Sequence, residues 1–359
     1  MGSVSVISKG FLEVLFGGSV LLWLAVWRVR RCGRIAVGLC SLAAMLLTLV
    51  AAADGVNAHY QYLPRVSDVI GARDWPTISK AQWVNVSSRS TIPSAAPVAV
   101  AANQGAVVTL NIGEQRVGFS ATKALVYLPP QYFANPTQRF PVVYLLHGSP
   151  GMPVDWLRGG GAAHAGYLAA RAGHPQILVM PHLSRDWLDD SECVDGAHML
   201  VETYVVHDLV PSIDAQLRTE ADRGHRAVAG MSAGGYCALN LGLRHRDLFG
   251  VIVDMSGYTH PSHSGGMPSL FGRQPDLRDL VAANSPDVYV DSLPAAPSTR
   301  VFLVCGTSDH VALKQLASLR DRLRGRGFDV TWTTRPGGHT YGVWRPGLVN
   351  ALNWTFTAG

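Results

Sequence analysis

The chain has 359 residues and a mass of 38.5 kDa, enough for one large α/β domain or two ordinary ones. Hydrophobic residues make up 48% and charged residues only 15%, which excludes a disordered or coiled-coil protein and points to a membrane-buried portion. Of the net charge of +5, all but one unit lies in residues 1–53, where Lys9, Arg28, Arg30, Arg31 and Arg34 face only Glu13, so the remainder lacks the basic surplus a nucleic-acid binder needs.

Two apolar runs, about residues 11–27 and 35–53, flank the cluster Arg28–Arg34, and each approaches the roughly 20 residues that cross a bilayer. A short loop with four arginines is retained in the cytoplasm. The expected arrangement is therefore two transmembrane helices in the cell membrane, with residues 54–359 extracytoplasmic. Trp23 and Trp27 suit the membrane interface. The rival reading is a late signal peptide ending at Ala51-Ala52-Ala53, which would release a secreted protein. A buried hairpin of a soluble protein is disfavoured by the basic loop. Residues 54–104, with Pro64, Pro76, Pro93, Pro97 and the polar run Ser87–Thr91, read as an extracytoplasmic linker.

From residue 105 the pattern becomes one α/β domain. Strands are expected at Val107–Ile112, Ala124–Leu128, Val142–Leu146, Ile177–Met180, Ala227–Met231, Val251–Met255, Val301–Val304 and Val330–Thr333. Most are apolar on both faces, as buried parallel strands are; the last alternates and reads as nearer the sheet edge. Helices are expected near 160–172, 199–218, 233–244, 311–324 and 342–354, giving a mostly parallel sheet flanked by helices and led by an antiparallel pair. The segment 256–300 reads as an insertion able to cover a site.

Strand ends carry the chemistry. Gly230-Met231-Ser232-Ala233-Gly234 lies between a strand and a helix, the setting in which small neighbours let a strained turn raise a serine above the sheet. His339, in Pro336-Gly337-Gly338-His339 after the last strand, is the candidate base. Asp309, in Cys305-Gly306-Thr307-Ser308-Asp309, is the candidate acid, and Asp254 at the end of the preceding strand is its rival. The turn His147-Gly148-Ser149-Pro150-Gly151 follows another strand; the backbone N–H groups of Ser149 and Ala233 are the expected oxyanion donors. His147 is expected to shape this turn rather than transfer protons. Glu202 is either an internal ion-pair partner or a surface charge. His260 and His263 lack a third ligand at metal-binding spacing. Cys193, Cys237 and Cys305 lie outside the membrane region and allow at most one internal bridge, whose pairing stays open.

From about Val117 onward the chain resembles the esterase D/antigen 85 branch of α/β-hydrolases. The resemblance rests on Val143-Tyr144-Leu145-Leu146-His147-Gly148, Val201-Glu202-Thr203-Tyr204, Gly230–Gly234 and Gly338-His339-Thr340-Tyr341-Gly342-Val343-Trp344. With the N-terminal apolar segments, it is similar to membrane-tethered members from mycolate-making actinobacteria. The resemblance implies an α/β-hydrolase catalytic domain over residues 105–359 and a serine esterase acting on acyl esters or glycolipids of the cell envelope. It implies no metal or organic cofactor, and it assigns Ser232, Asp309, His339, Ser149 and Ala233 their roles. The alternatives are a mycolyl or acyl transferase to trehalose or another sugar, and an inactive glycolipid-binding scaffold. The mycolyl transferases carry a sugar-holding aspartate where His147 stands, a tryptophan where Val201 stands, and a paired cysteine in the loop where only Cys193 occurs here. These departures favour hydrolysis. The oligomeric state is not legible.

Overall fold

The computed structural model describes residues 5–31, 33–69, 75–78, 101, 103–112, 123–295 and 298–357. The chain divides into two units, Met1–Arg73 with Thr340–Gly342, and Asp74–His339 with Val343–Gly359.

In the first unit, helices α1 (Lys9–Val29) and α2 (Arg34–Tyr60) are both long and apolar enough to cross a membrane. At 1.5 Å per residue they span about 31 and 40 Å. Small residues let them approach: Gly18 lies against Leu47 and Gly55 against Leu12. Polar atoms meet in the contact, where Ser19 Oγ is 2.7 Å from Thr48 Oγ1 and the Trp23 indole N–H donates to Thr48 at 3.0 Å. Trp23 therefore binds the partner helix, while Trp27 stays exposed beneath the Arg30 guanidinium. The second helix runs seven residues past the expected end at 53, because Asp54–Tyr60 contains no proline and the stop comes only at Gln61, which adopts a left-handed conformation (φ 56°). The segment read as a linker thus begins as helix. Its polar run Ser87–Thr91 lies outside the described residues.

The second unit is built on a mixed sheet of nine described strands: β1 (Thr77–Ile78), β2 (Ala106–Asn111), β3 (Lys123–Leu128), β4 (Val142–Leu146), β5 (Ile177–Pro181), β6 (Arg226–Met231), β7 (Val251–Met255), β8 (Arg300–Gly306) and β9 (Asp329–Arg335). Their order is β1-β2-β3-β5-β4-β6-β7-β8-β9. β2, β3 and β5 pair antiparallel in turn, and β5, β4 and β6 to β9 are parallel. The central strands are buried on both faces, as continuous apolar runs require, whereas the alternating β9 lies at the sheet edge.

Helices cover the sheet: α3 (Ala162–Arg171), α4 (Val201–Thr203 and Val210–Gln216 with a π-helical middle, Tyr204–Leu209), α5 (Ala233–Arg244), α6 (His310–Gly325) and α7 (Tyr341–Trp354). The α6 stripe Ala312, Leu316, Leu319 and Leu323 is buried, as its spacing demands. Between β7 and β8 stand three short helices, Met267–Phe271, Leu277–Ala283 and Pro286–Tyr289. Leu270 and Phe271 join Val194 in an apolar cluster separate from the main core.

Candidate active site

β6 delivers Ser232 at a sharp turn into α5, with φ 56° and ψ −126°, a conformation L-residues seldom adopt. The turn is possible because its flanks have no side chains. A Cβ on Gly230 would collide with the Gly234 carbonyl, and one on Gly234 would collide with the Leu146 carbonyl of β4. The adjoining strand stabilises the turn, since the Ser232 N–H donates to Met255 O at 3.0 Å.

His339 reaches the serine from the loop after β9, and Asp309 comes from the end of β8. His339 Nε2 is 2.8 Å from Ser232 Oγ, and His339 Nδ1 is 2.8 Å from Asp309 Oδ2. Burial pushes the Asp309 carboxyl upward, but the hydrogen bond and charge of His339 outweigh it, and the carboxyl is held below its ordinary value. With Asp309 ionised, Nδ1 carries the proton and donates to it, leaving Nε2 to accept from the Ser232 hydroxyl. Trp344, in the first turns of α7, packs edge-on against the imidazole with ring centroids 4.8 Å apart at 88°.

Asp254 is not part of this line. Its carboxyl is fully buried and accepts the Gly257 N–H at 2.6 Å. Of the two acids left open by the sequence, Asp309 alone is hydrogen-bonded to His339.

The turn after β4 comes against the serine. A Cβ on Gly148 would lie 3.3 Å from Ser232 Cβ and 3.8 Å from its Oγ. Ser149 follows directly, and Ala233 opens α5; the N–H groups of both are uncommitted among the described residues. Two uncommitted N–H groups thus stand on the turn that meets Ser232 and on the residue that follows it, an arrangement able to hold the oxygen of a tetrahedral adduct. His147 is buried with Nδ1 2.9 Å from Gly148 O, and burial pushes it down to about 4, so the ring is neutral and braces the turn.

The other singled-out residues lie elsewhere. Glu202 is an internal ion-pair partner, accepting from Arg244 (3.1 and 3.2 Å) and 2.6 Å from His245 Nε2, which ties α4 to the end of α5. His260 pairs with Asp287, and His263 accepts the Gly265 N–H. Cys193 and Cys237 form a disulfide between the loop after β5 and α5, and Cys305 is free and buried. Glu192, beside that disulfide, went unnoticed in the sequence. It is almost wholly buried, accepts from Tyr258 Oη at 2.8 Å and Ser262 N–H at 2.9 Å, and is pushed up to about 8 by burial and then by Asp190. Trp344 closes the motif Gly338–Trp344, but nothing in the sequence told its packing role.

Residues 120–355 match the family model Esterase, described as "Putative esterase". An uncharacterized protein of Corynebacterium glutamicum is 27% identical over 338 residues, covering 92% of this chain and 78% of that one. The esterase Rv1288 of Mycobacterium tuberculosis is 29% identical over 251 residues, 62% of this chain, and the match spans only 53% of that protein's length. Among solved structures, a ferulic acid esterase superposes with a TM-score of 0.60 at 26% identity, covering 70% of this chain and 98% of that one. The sheet order, the helices that flank it and the extent of the family match agree: the chain belongs to the Esterase family and has the α/β-hydrolase fold.

Proposed function

We propose that the protein is a serine carboxylester hydrolase that cleaves acyl esters of the cell envelope through Ser232, His339 and Asp309. The observation that carries this reading is the unbroken hydrogen-bonded line Ser232–His339–Asp309, 2.8 Å at each step, beside a Gly148 whose added Cβ would lie 3.3 Å from that of the serine.

The Ser232 hydroxyl attacks the ester carbonyl as His339 Nε2 takes its proton, and Asp309 holds the ring in the productive tautomer and stabilises the imidazolium. The N–H groups of Ser149 and Ala233 bind the negative oxygen of the adduct. His339 returns the proton to the departing alcohol, leaving an acyl-enzyme. Water then attacks the acyl-enzyme with His339 again as base, releasing the acid and restoring Ser232. No step calls for a metal or an organic cofactor.

The helices α1 and α2 anchor the chain in the cell membrane with the catalytic domain extracytoplasmic. Their length, their exposed apolar faces and the arginines between them support this reading.

The test is labelling of the full-length chain with a fluorophosphonate. Wild type takes one equivalent on Ser232 and hydrolyses short acyl esters, and Ser232→Ala does neither. A correctly folded wild type that never labels would replace the enzyme with a glycolipid-binding scaffold.

A further inference from the structure

Asp254 lies at the junction of three elements that build the site, and no cation among the described residues faces its buried carboxyl. Its side chain is 0% exposed. Oδ1 accepts the Gly257 N–H at 2.6 Å, while Oδ2 has no hydrogen-bond partner among the described residues. The titratable groups facing it are Asp309 and Cys305, both on or just beyond β8; none brings a positive charge.

The space around the carboxyl is made by glycines. A Cβ on Gly235 would lie 2.5 Å from Oδ1, and one on Gly257 would lie 2.5 Å from Oδ1 and 2.7 Å from Oδ2. A Cβ on Gly257 would also lie 2.5 Å from Tyr236 N, so the carboxyl fills the crossing between the turn after β7 and the first turn of α5. That crossing supports the nucleophile: Ser232 N–H donates to Met255 O at 3.0 Å, and Ser256 N–H donates to Val304 O at 2.8 Å. Ser256 itself has φ 57°, so the turn Asp254–Gly257 holds a strained residue in place.

We propose that Asp254 is a positioning residue that works as an uncharged carboxylic acid, clamping the Gly257 turn to the first turn of α5 and so holding Ser232, while Asp309 alone carries the negative charge of the site. This role rests on the triad reading above. An ionised carboxyl here would be buried without a cation and would repel Asp309. Burial pushes Asp254 up to about 8; the Gly257 hydrogen bond opposes this and the Asp309 charge adds to it.

The sign of the consequence follows from linkage. Unfolded Asp254 loses its proton near pH 4, and the folded group keeps it until about pH 8. Wild type therefore loses stability across that window as pH rises, and Asp254→Asn, which has the shape of the neutral acid, does not. In the full-length chain in detergent, the melting temperature of Asp254→Asn relative to wild type should rise by roughly 2–4 °C per pH unit between pH 5 and pH 8. With a short acyl ester, Asp254→Ala should lower kcat by about tenfold with KM nearly unmoved, and Asp254→Asn should restore most of it. A melting-temperature difference that ignores pH overturns the uncharged state, and an Asn variant as impaired as the Ala variant overturns the clamp. The melting series needs no turnover, so its outcome is separate from that of the Ser232 labelling test.

Discussion

Gly148 and Ser232 are in van der Waals reach of each other: a Cβ at 148 would lie 3.3 Å from that of the serine. The turn after β4 therefore tolerates no side chain at this point without moving Ser232 or the N–H groups proposed as oxyanion donors. Gly148→Val should lower kcat by roughly 100–1000-fold, the loss that follows removal of an oxyanion donor. Circular dichroism should show an unchanged fold, and fluorophosphonate labelling should slow in parallel.

The Asp309 carboxyl keeps the proton on His339 Nδ1. Asp309→Asn should cut turnover by roughly 1000- to 10,000-fold because it favours the wrong tautomer. The corresponding change at Asp254 should be far milder. The lowered Asp309 value adds a pH signature: its contribution to stability is complete above its unfolded value near 4 and disappears as pH falls through the folded value. Steady-state kinetics of the two Asn variants, with acid melts of wild type and Asp309→Asn, check both statements; a reversed order of the variants would move the acid to β7.

Glu202 joins Arg244 and His245 at the end of α5. Burial raises its carboxyl, but the hydrogen bond to His245 and the charges of Arg244 and His245 prevail and hold it below its ordinary value. Glu202→Gln should cost roughly 1.5–3 kcal/mol of stability at pH 7, less toward acid pH, where the wild-type carboxylate also takes up its proton. Urea unfolding at pH 7 and pH 4 measures the difference. Catalytic constants should change little, because the cluster lies at the far end of α5 from Ser232.

The α1–α2 pair makes a topological prediction. A reporter fused after Gly359 should be active only outside the cell membrane, and the purified membrane-bound chain should retain residues 1–53 by mass spectrometry. Loss of those residues would favour the signal peptide. Ser19→Leu with Thr48→Val should loosen the helix pair by removing its 2.7 Å hydrogen bond. Such bonds are worth about 0.6 kcal/mol on average in membranes.

Hydrolysis should exceed acyl transfer. His147 is buried and neutral, so it supplies no carboxylate to a sugar hydroxyl. A charge-assisted bond of that kind is worth roughly 1.5–3 kcal/mol, or about a factor of 10 to 150 in acceptor binding. With an acyl-trehalose donor the main product should be free acid. A diacylated sugar as the main product would overturn this.

Much of this was legible in the order of residues. Periodicity located β4 and β7 with their final bounds, because a strand buried on both faces is apolar at nearly every position, Asp254 of β7 being the exception. The glycines around Ser232 marked the strained turn, since only residues without side chains fit it. Strand-end positions brought Ser232, Asp309 and His339 onto one list. The sequence ranked Asp309 ahead of Asp254 as the acid but held no contact that excludes the rival, because both stand at the ends of adjacent strands. The separation is tertiary: the loop after β9 passes over the end of β8 and meets Asp309, whereas the side chain of Asp254 turns toward Gly235 and Tyr236 of α5. The Cys193–Cys237 bond, the partners of Glu202 and the packing of Trp344 were illegible for the same reason. Local pattern encodes which face of an element is buried, but which residue meets it there depends on the sheet order and on loops closing across 5 to 44 residues.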